Sequence, residues 1–379
     1  MSSSLTDLIK RKKKKVSEAN FLKSGERAVA ALRSLYKQYG YLPFKMSKFE
    51  EYDLYVRNKE FLVGDRVITF NDTDGRLLAM KPDVTLSIIK NSVYEKGTKQ
   101  KVYYNENVYR VSPKTKRFKE IMQSGIECIG DTDIFDTYEV VYLAIRSLSL
   151  VSEDCALDIS HLGILSKLLA RACDNDAFKQ RITSLISEKN KHEISKACED
   201  FSVSCEYAEL IKEFIDMYGD MNSVLARLKP MCDKIGAAEQ YAELSSLCRM
   251  LSDEGMEKRI RIDFSVVNDM NYYNGIVFKG FIRGIPDGVL SGGEYSSLME
   301  RMGKHSGAVG FALYLDFVEE LTAVARDYDV DVLLLYSSDS DPVSLLKMKN
   351  KLISEGKSVS LQKAVPSKLR YRELIKLDK

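Results

Sequence analysis

The chain has 379 residues, 45% of them hydrophobic and 30% charged, with a formal net charge of +2. That length calls for two or three domains, and the near-neutral balance excludes a bulk field that would draw nucleic acid or an acidic membrane. Seven scattered Cys with no CxxC pair and three separated His exclude a zinc site by spacing, and no apolar run approaches the roughly 20 residues that span a bilayer.

In chain order, residues 1–19 read as a basic tail carrying Lys10-Arg11-Lys12-Lys13-Lys14-Lys15. A nucleic-acid or phosphate patch would call for interleaved aromatics to stack bases, and there are none, so a solvated tail is expected. Residues 19–39 have helical spacing at Phe21, Leu22, Ala28, Ala31, Leu32 and Leu35, with Gly40 placed to end the helix. Residues 66–71 and 76–81 predict a hairpin around Asp72-Thr73-Asp74-Gly75. Pro82-Asp83-Val84-Thr85 breaks the second strand and starts a helix to about Val93, since Asp83 and Thr85 both suit a helix start. Residues 101–111 and 121–129 read as strands joined by a polar, basic loop, and 136–150 as an amphipathic helix.

Residues 163–255 then show almost only helical patterning and read as a helical insert. Strand character returns at 259–267 and 275–282, and 290–323 alternates Gly-rich turns with strand and helix. Residues 329–336, 342–355 and 358–362 read as a small βαβ unit. The expected layout is therefore a main domain over 20–323 and a small α/β C-terminal domain over 328–379. Hairpin-connected strands argue for an α+β fold, an antiparallel sheet flanked by helices. Neither GxGxxG nor GxxxxGK[ST] occurs, so neither common nucleotide loop is available. The scattered thiols, with no secretory leader pattern, point to a reducing, cytoplasmic compartment.

Four segments carry the functional reading. They are Met80-Lys81-Pro82-Asp83-Val84-Thr85; Tyr109-Arg110 with Arg117-Phe118 through Gln123-Ser124-Gly125-Ile126-Glu127; Asn271-Tyr272-Tyr273-Asn274-Gly275; and Ser291-Gly292-Gly293-Glu294-Tyr295 with Gly310-Phe311-Ala312. In this order they resemble the catalytic domain of the histidyl-tRNA synthetase family, a class II aminoacyl-tRNA synthetase fold, over roughly residues 20–320. By that resemblance Glu127 and Tyr273 face an imidazole, Asp83 and Thr85 face an α-amino group, and Gln123 and Arg110 lie near a carboxylate, with Tyr272 beside them. The chemistry suits: an imidazole needs partners on both ring nitrogens, and an ammonium needs an anion. Taken alone, the two tyrosines also read as half-buried sheet aromatics and Glu127 as a surface residue.

The departures from the family matter more. Asn268 and Asn271 stand where the family has a catalytic arginine and an aspartate. Phe317 replaces the arginine that grips ATP, Tyr314 replaces a glycine, Glu294 reverses the charge of another arginine, and Ser112 replaces a glutamate. Stabilising a triphosphate requires converging cations; these changes remove most of them, and the bulky Tyr314 and Phe317 would fill the nucleotide space. The tail after Val324 is also short for the family's anticodon-binding domain. This combination is similar to a paralogous family, the regulatory subunits of ATP phosphoribosyltransferase. The resemblance implies a non-catalytic subunit needed with a short-form catalytic subunit for the first step of histidine biosynthesis and for feedback inhibition by histidine. It further implies a homodimer within a hetero-oligomer, no cofactor, no metal, no membrane and no tRNA. The alternative is a divergent histidyl-tRNA synthetase-like enzyme.

Overall fold

The computed structural model describes residues 24–59, 67–93, 95–112, 115–267, 272–317 and 328–376. The Lys-rich run and the departures at Asn268 and Asn271 lie outside them. Helix α1 (Ser24–Gln38) forms where Ala28, Leu32, Leu35 and Tyr36 repeat at helical spacing, all four buried. It stops at Gly40, whose φ of +80° lets Gly40 N–H bond Lys37 O and Tyr41 N–H bond Tyr36 O. Those two bonds close the helix in the manner a left-handed glycine permits.

Nine strands then form one sheet. They are β1 (Leu42–Pro43), β5 (Lys99–Val111), β6 (Phe118–Gly130), β7 (Cys155–His161), β8 (Tyr218–Gly219), β9 (Ile260–Asp263), β10 (Ile276–Ile282), β11 (Leu290–Glu294) and β12 (Gly307–Tyr314). Their order is β1-β5-β6-β12-β11-β10-β7-β9-β8. Only β1–β5 and β7–β9 pair in parallel; the other neighbours are antiparallel. The expected mainly antiparallel α+β architecture is what the chain adopts. The long hairpin β5–β6 runs in register from Lys99↔Gly130 to Val111↔Phe118.

Helix α4 (Ile134–Val151) lies across β7, β10, β11 and β12 and buries Val140, Val141, Ala144, Ile145 and Leu148 against them. Asp133 starts it, accepting from Phe135 N and Asp136 N while Asp136 accepts from Asp133 N. A second sheet of three strands, β2 (Phe49–Glu51), β3 (Thr69–Asn71) and β4 (Leu77–Met80), contains the expected hairpin. Its middle strand β4 leads into Pro82 and helix α3 (Thr85–Asn91), after the short α2 (Tyr52–Arg57). Between β7 and β9 come α5 (Leu162–Ala172), α6 (Asp176–Ser187), α7 (Ile194–Asp200), α8 (Cys205–Ile215), α9 (Met221–Ile235) and α10 (Ala238–Asp253). After β11 comes α11 (Ser296–Arg301).

Strand β7 is the main element missing from the sequence reading. It carries Asp158, Ser160 and, as its last residue, His161, which read as polar yet are buried. Each of the two charged or titratable side chains is matched from far along the chain: Asp158 accepts from Arg261 Nε at 2.7 Å, and His161 Nε2 lies 3.0 Å from Glu243 Oε2.

The chain divides into a larger unit over 29–318 and a second containing 319–379. Within the second, β13 (Val330–Leu335), helix α12 (Pro342–Ser354), β14 (Val359–Gln362) and β15 (Tyr371–Lys376) form a parallel sheet in the order β14-β13-β15. Asp341 caps α12 ahead of Pro342, which suits the first helical position. Strand β15 adds a third strand to the expected βαβ unit.

Lys81 gives the fold a testable weak point. Its side chain has no exposure, and its ammonium lies 2.9 Å from Glu106, which keeps 20%. Burial pushes the Lys81 pKa down and Glu106 opposes that shift. Glu106→Gln is expected to lower stability by about 2–3 kcal/mol, short of the loss at a fully buried pair because Glu106 reaches water. Urea unfolding measures it; an unchanged midpoint would show that the ammonium finds water or another partner.

Candidate functional site

The site begins where β4 ends. Pro82 cannot donate a backbone bond, so the ladder stops there. Asp83 then starts α3 by accepting from Leu86 N–H at 2.9 Å. This places Asp83 and Thr85 beside the β5–β6 hairpin, which contributes Tyr104 and Arg110 from β5 and Gln123 and Glu127 from β6. Tyr272 and Tyr273 come from the turn before β10, their rings 4.6 Å apart by centroid. All seven residues named from the sequence line one cavity of about 460 Å³.

Glu127 lies at its floor with 2% exposure. One carboxyl oxygen accepts from the Thr85 hydroxyl at 2.9 Å and the other from the Tyr295 hydroxyl at 2.7 Å. Gly310 faces it across the β6–β12 ladder, and a Cβ there would fall 1.7 Å from Glu127 Oε2. Burial pushes the Glu127 carboxyl up to about 8, so near neutrality it holds a proton. That proton is a donor it can offer a ligand, beside the acceptor capacity its two oxygens keep. Burial also raises Asp83, while Arg110 opposes the shift. The hydroxyls of Tyr104, Tyr272 and Tyr295 are likewise pushed up by burial, so they stay neutral donors. Gln123 is 2% exposed and its side-chain Nε2 has no hydrogen-bond partner. A buried orphan donor costs about 1–3 kcal/mol, which a ligand acceptor would relieve.

The cations are few. Arg110 donates to Pro82 O at 2.7 Å and lies 3.4 Å from Asp83 Oδ2, so the protein already engages it. Lys279 is the other cation among the described lining residues. Tyr314 lines the cavity, its hydroxyl 3.1 Å from Ser291 Oγ. Two details correct the sequence reading. Phe317 stacks edge-on against Tyr314 at 6.4 Å but is not part of the cavity wall. Glu294 does not reverse a charge inside the cavity: its carboxylate turns away, toward Thr137 and the Ile276 amide.

Several lining residues go beyond those named from the sequence. Tyr295 sits in the Gly-Gly-Glu-Tyr motif, which is the signal that could have found it. Tyr104 follows from alternation along β5, which puts every second residue on one face. Thr183, Ser184 and Ser187 come from α6 of the helical stretch, and nothing in their local pattern marks them. Among the described residues no cluster of three or more His, Cys, Asp or Glu is arranged to hold a metal, and no helix is long and apolar enough to cross a membrane.

An antiparallel sheet with this hairpin, aromatic turn and Gly-rich strand defines a class II synthetase-like domain. The chain belongs to the histidyl-tRNA synthetase family, whose model matches residues 18–318. Among curated proteins it is similar to the ATP phosphoribosyltransferase regulatory subunit of Oceanobacillus iheyensis, 29% identical over 300 residues, covering 78% of this chain and 73% of that one. The corresponding protein of Clostridium botulinum is 28% identical over 344 residues, covering 86% and 80%. Among solved structures, an ATP phosphoribosyltransferase regulatory subunit/histidyl-tRNA synthetase from Bacillus halodurans superposes with a TM-score of 0.76 at 21% identity, covering 93% of each chain. A chain of the ATP phosphoribosyl transferase (HisG:HisZ) complex from Thermotoga maritima gives 0.61 at 20% identity, covering 76% of this chain and 96% of that one. At these identities the structures speak for the fold.

Proposed function

We propose that this chain is the non-catalytic regulatory subunit of ATP phosphoribosyltransferase and that its synthetase-like cavity binds free histidine. The observation that carries the reading is the state of Arg110. Asp83 and the Pro82 carbonyl already take two of its donors, which leaves one partly engaged cation, suited to a single carboxylate rather than a triphosphate. Among the described residues only Lys279 joins Arg110 in the cavity wall, too few converging cations for a triphosphate. What the cavity presents suits a small amphoteric ligand: the Glu127 proton, the Tyr273 hydroxyl and the orphaned Gln123 amide. Glu127 and Tyr273 take the imidazole, Asp83 and Thr85 the amino group, and Gln123 with Arg110 the carboxylate.

On this reading the partner is a short-form ATP phosphoribosyltransferase catalytic subunit, which supplies the chemistry of the first step of histidine biosynthesis. The chain pairs with a second copy of itself inside that hetero-oligomer, in the cytoplasm, without tRNA. Histidine inhibits by binding the inhibited state more tightly than the active one, as coupling between sites requires. The divergent-synthetase alternative is not favoured by the relatives' names or by the engaged Arg110.

The isolated chain is expected to show no histidine-dependent exchange of pyrophosphate into ATP. Exchange above a no-enzyme control would overturn the regulatory reading in favour of a synthetase. Co-purification with a short catalytic subunit tests the partner.

A further inference from the structure

We propose that Glu294 is a positioning residue: its partly buried carboxylate clamps the turn that carries Tyr272 and Tyr273 into the cavity. The inference rests on the histidine reading for its ligand but on geometry for the clamp. Glu294 ends β11, and its backbone carbonyl accepts from Asn274 N–H at 3.0 Å. One side-chain oxygen accepts from Ile276 N–H at 2.8 Å, the other from the Thr137 hydroxyl at 2.5 Å. The same residue therefore holds the turn at two amides and ties it to the first turn of α4. From the other side, Leu162 N–H donates to Gly275 O at 2.9 Å. The next residue, Tyr295, points the opposite way and donates to Glu127. A single dipeptide thus fixes both the aromatic turn and the acid at the cavity floor.

The arginine that the family places here has donors and no acceptor, so it could not take the Ile276 and Thr137 hydrogens. Gly275 is matched to the clamp: a Cβ on it would fall 1.9 Å from Glu294 Oε2. Gly275 carries no left-handed backbone requirement, so Gly275→Ala acts by displacing that carboxylate.

The test uses the full chain with Glu294→Ala, Glu294→Gln, Gly275→Ala and the double variant that combines Gly275→Ala with Glu294→Ala. Amide hydrogen exchange over residues 272–276 reads the clamp without any ligand, and equilibrium titration with histidine reads the pocket. Glu294→Ala is expected to speed Ile276 exchange and weaken histidine binding by about tenfold each, the size of one lost charge-assisted bond. β6 amides should exchange as before. Glu294→Gln keeps an acceptor for Ile276 and should stay within about threefold of wild type. Gly275→Ala should match Glu294→Ala, and the double variant should be no worse than either, because both remove the same contact. Wild-type exchange in Glu294→Ala, or losses that add in the double variant, would overturn the clamp. Failure of the wild-type chain to bind histidine, with the exchange pattern as expected, would remove the ligand and leave the clamp supported.

Discussion

Glu127→Gln in this chain, within the reconstituted complex, is expected to raise the histidine concentration for half-maximal inhibition by about tenfold or more. Glu127 is buried, accepts from Thr85 and Tyr295, and keeps a proton to donate. Glutamine offers one acceptor oxygen and an NH₂, so either Thr85 or Tyr295 loses its acceptor or the ligand meets a misplaced donor. A buried polar mismatch costs about 1–3 kcal/mol, and about 1.4 kcal/mol is tenfold. Tyr273→Phe removes a single hydroxyl at a half-buried position and should shift the curve less. Basal activity should hold in both, since the catalytic subunit supplies the reacting groups. Unchanged inhibition curves for both variants would move the sensor out of this cavity.

The same carboxyl should dominate the pH dependence of stability. Its folded pKa lies at about 8, well above the value of 4.5 for an open chain. Below the unfolded value both states hold the proton and burial carries no ionic penalty. Between the two values the unfolded chain releases its proton while the folded chain keeps it, so stability falls as pH rises, by about 1.4 kcal/mol per unit at most. Above the folded value the loss is complete, a few kcal/mol in order of magnitude. Asp83, also raised by burial, contributes in the same direction. Glu127→Gln is neutral throughout, so it should gain on wild type steadily from about pH 5 to about pH 8 in urea unfolding. Parallel profiles for the two proteins would show that Glu127 is ionised in the folded state.

Much of the fold was legible because its signals are local. The α1 stop lies in Gly40, the β3–β4 turn in Asp72–Gly75, and the α3 start in Asp83. The long β5–β6 hairpin follows from apolar strands flanking a basic loop. The seven cavity residues were also legible, through motif order rather than spacing. What escaped depends on contacts distant in sequence. β7 looked unlike a strand because Asp158 and His161 find partners only at Arg261 and Glu243. β15 is a polar sheet edge, with Arg372, Glu373 and Leu374 exposed. The aim of a side chain is equally nonlocal: Glu294 read as a charge placed in the cavity, and its true partners, Thr137 and Ile276, lie on a helix and a strand that only the fold brings together. Arg110 read as an available cation, whereas Asp83, beside the hairpin that carries it, already pairs with it.

The most direct measurement is ATP phosphoribosyltransferase activity of a short catalytic subunit, assayed with and without this chain across a histidine titration. The account predicts that activity rises when the chain is added and that histidine suppresses it, with the Glu127→Gln chain still activating but resisting suppression. A catalytic subunit that neither gains activity nor becomes histidine-sensitive on addition of the chain would contradict it.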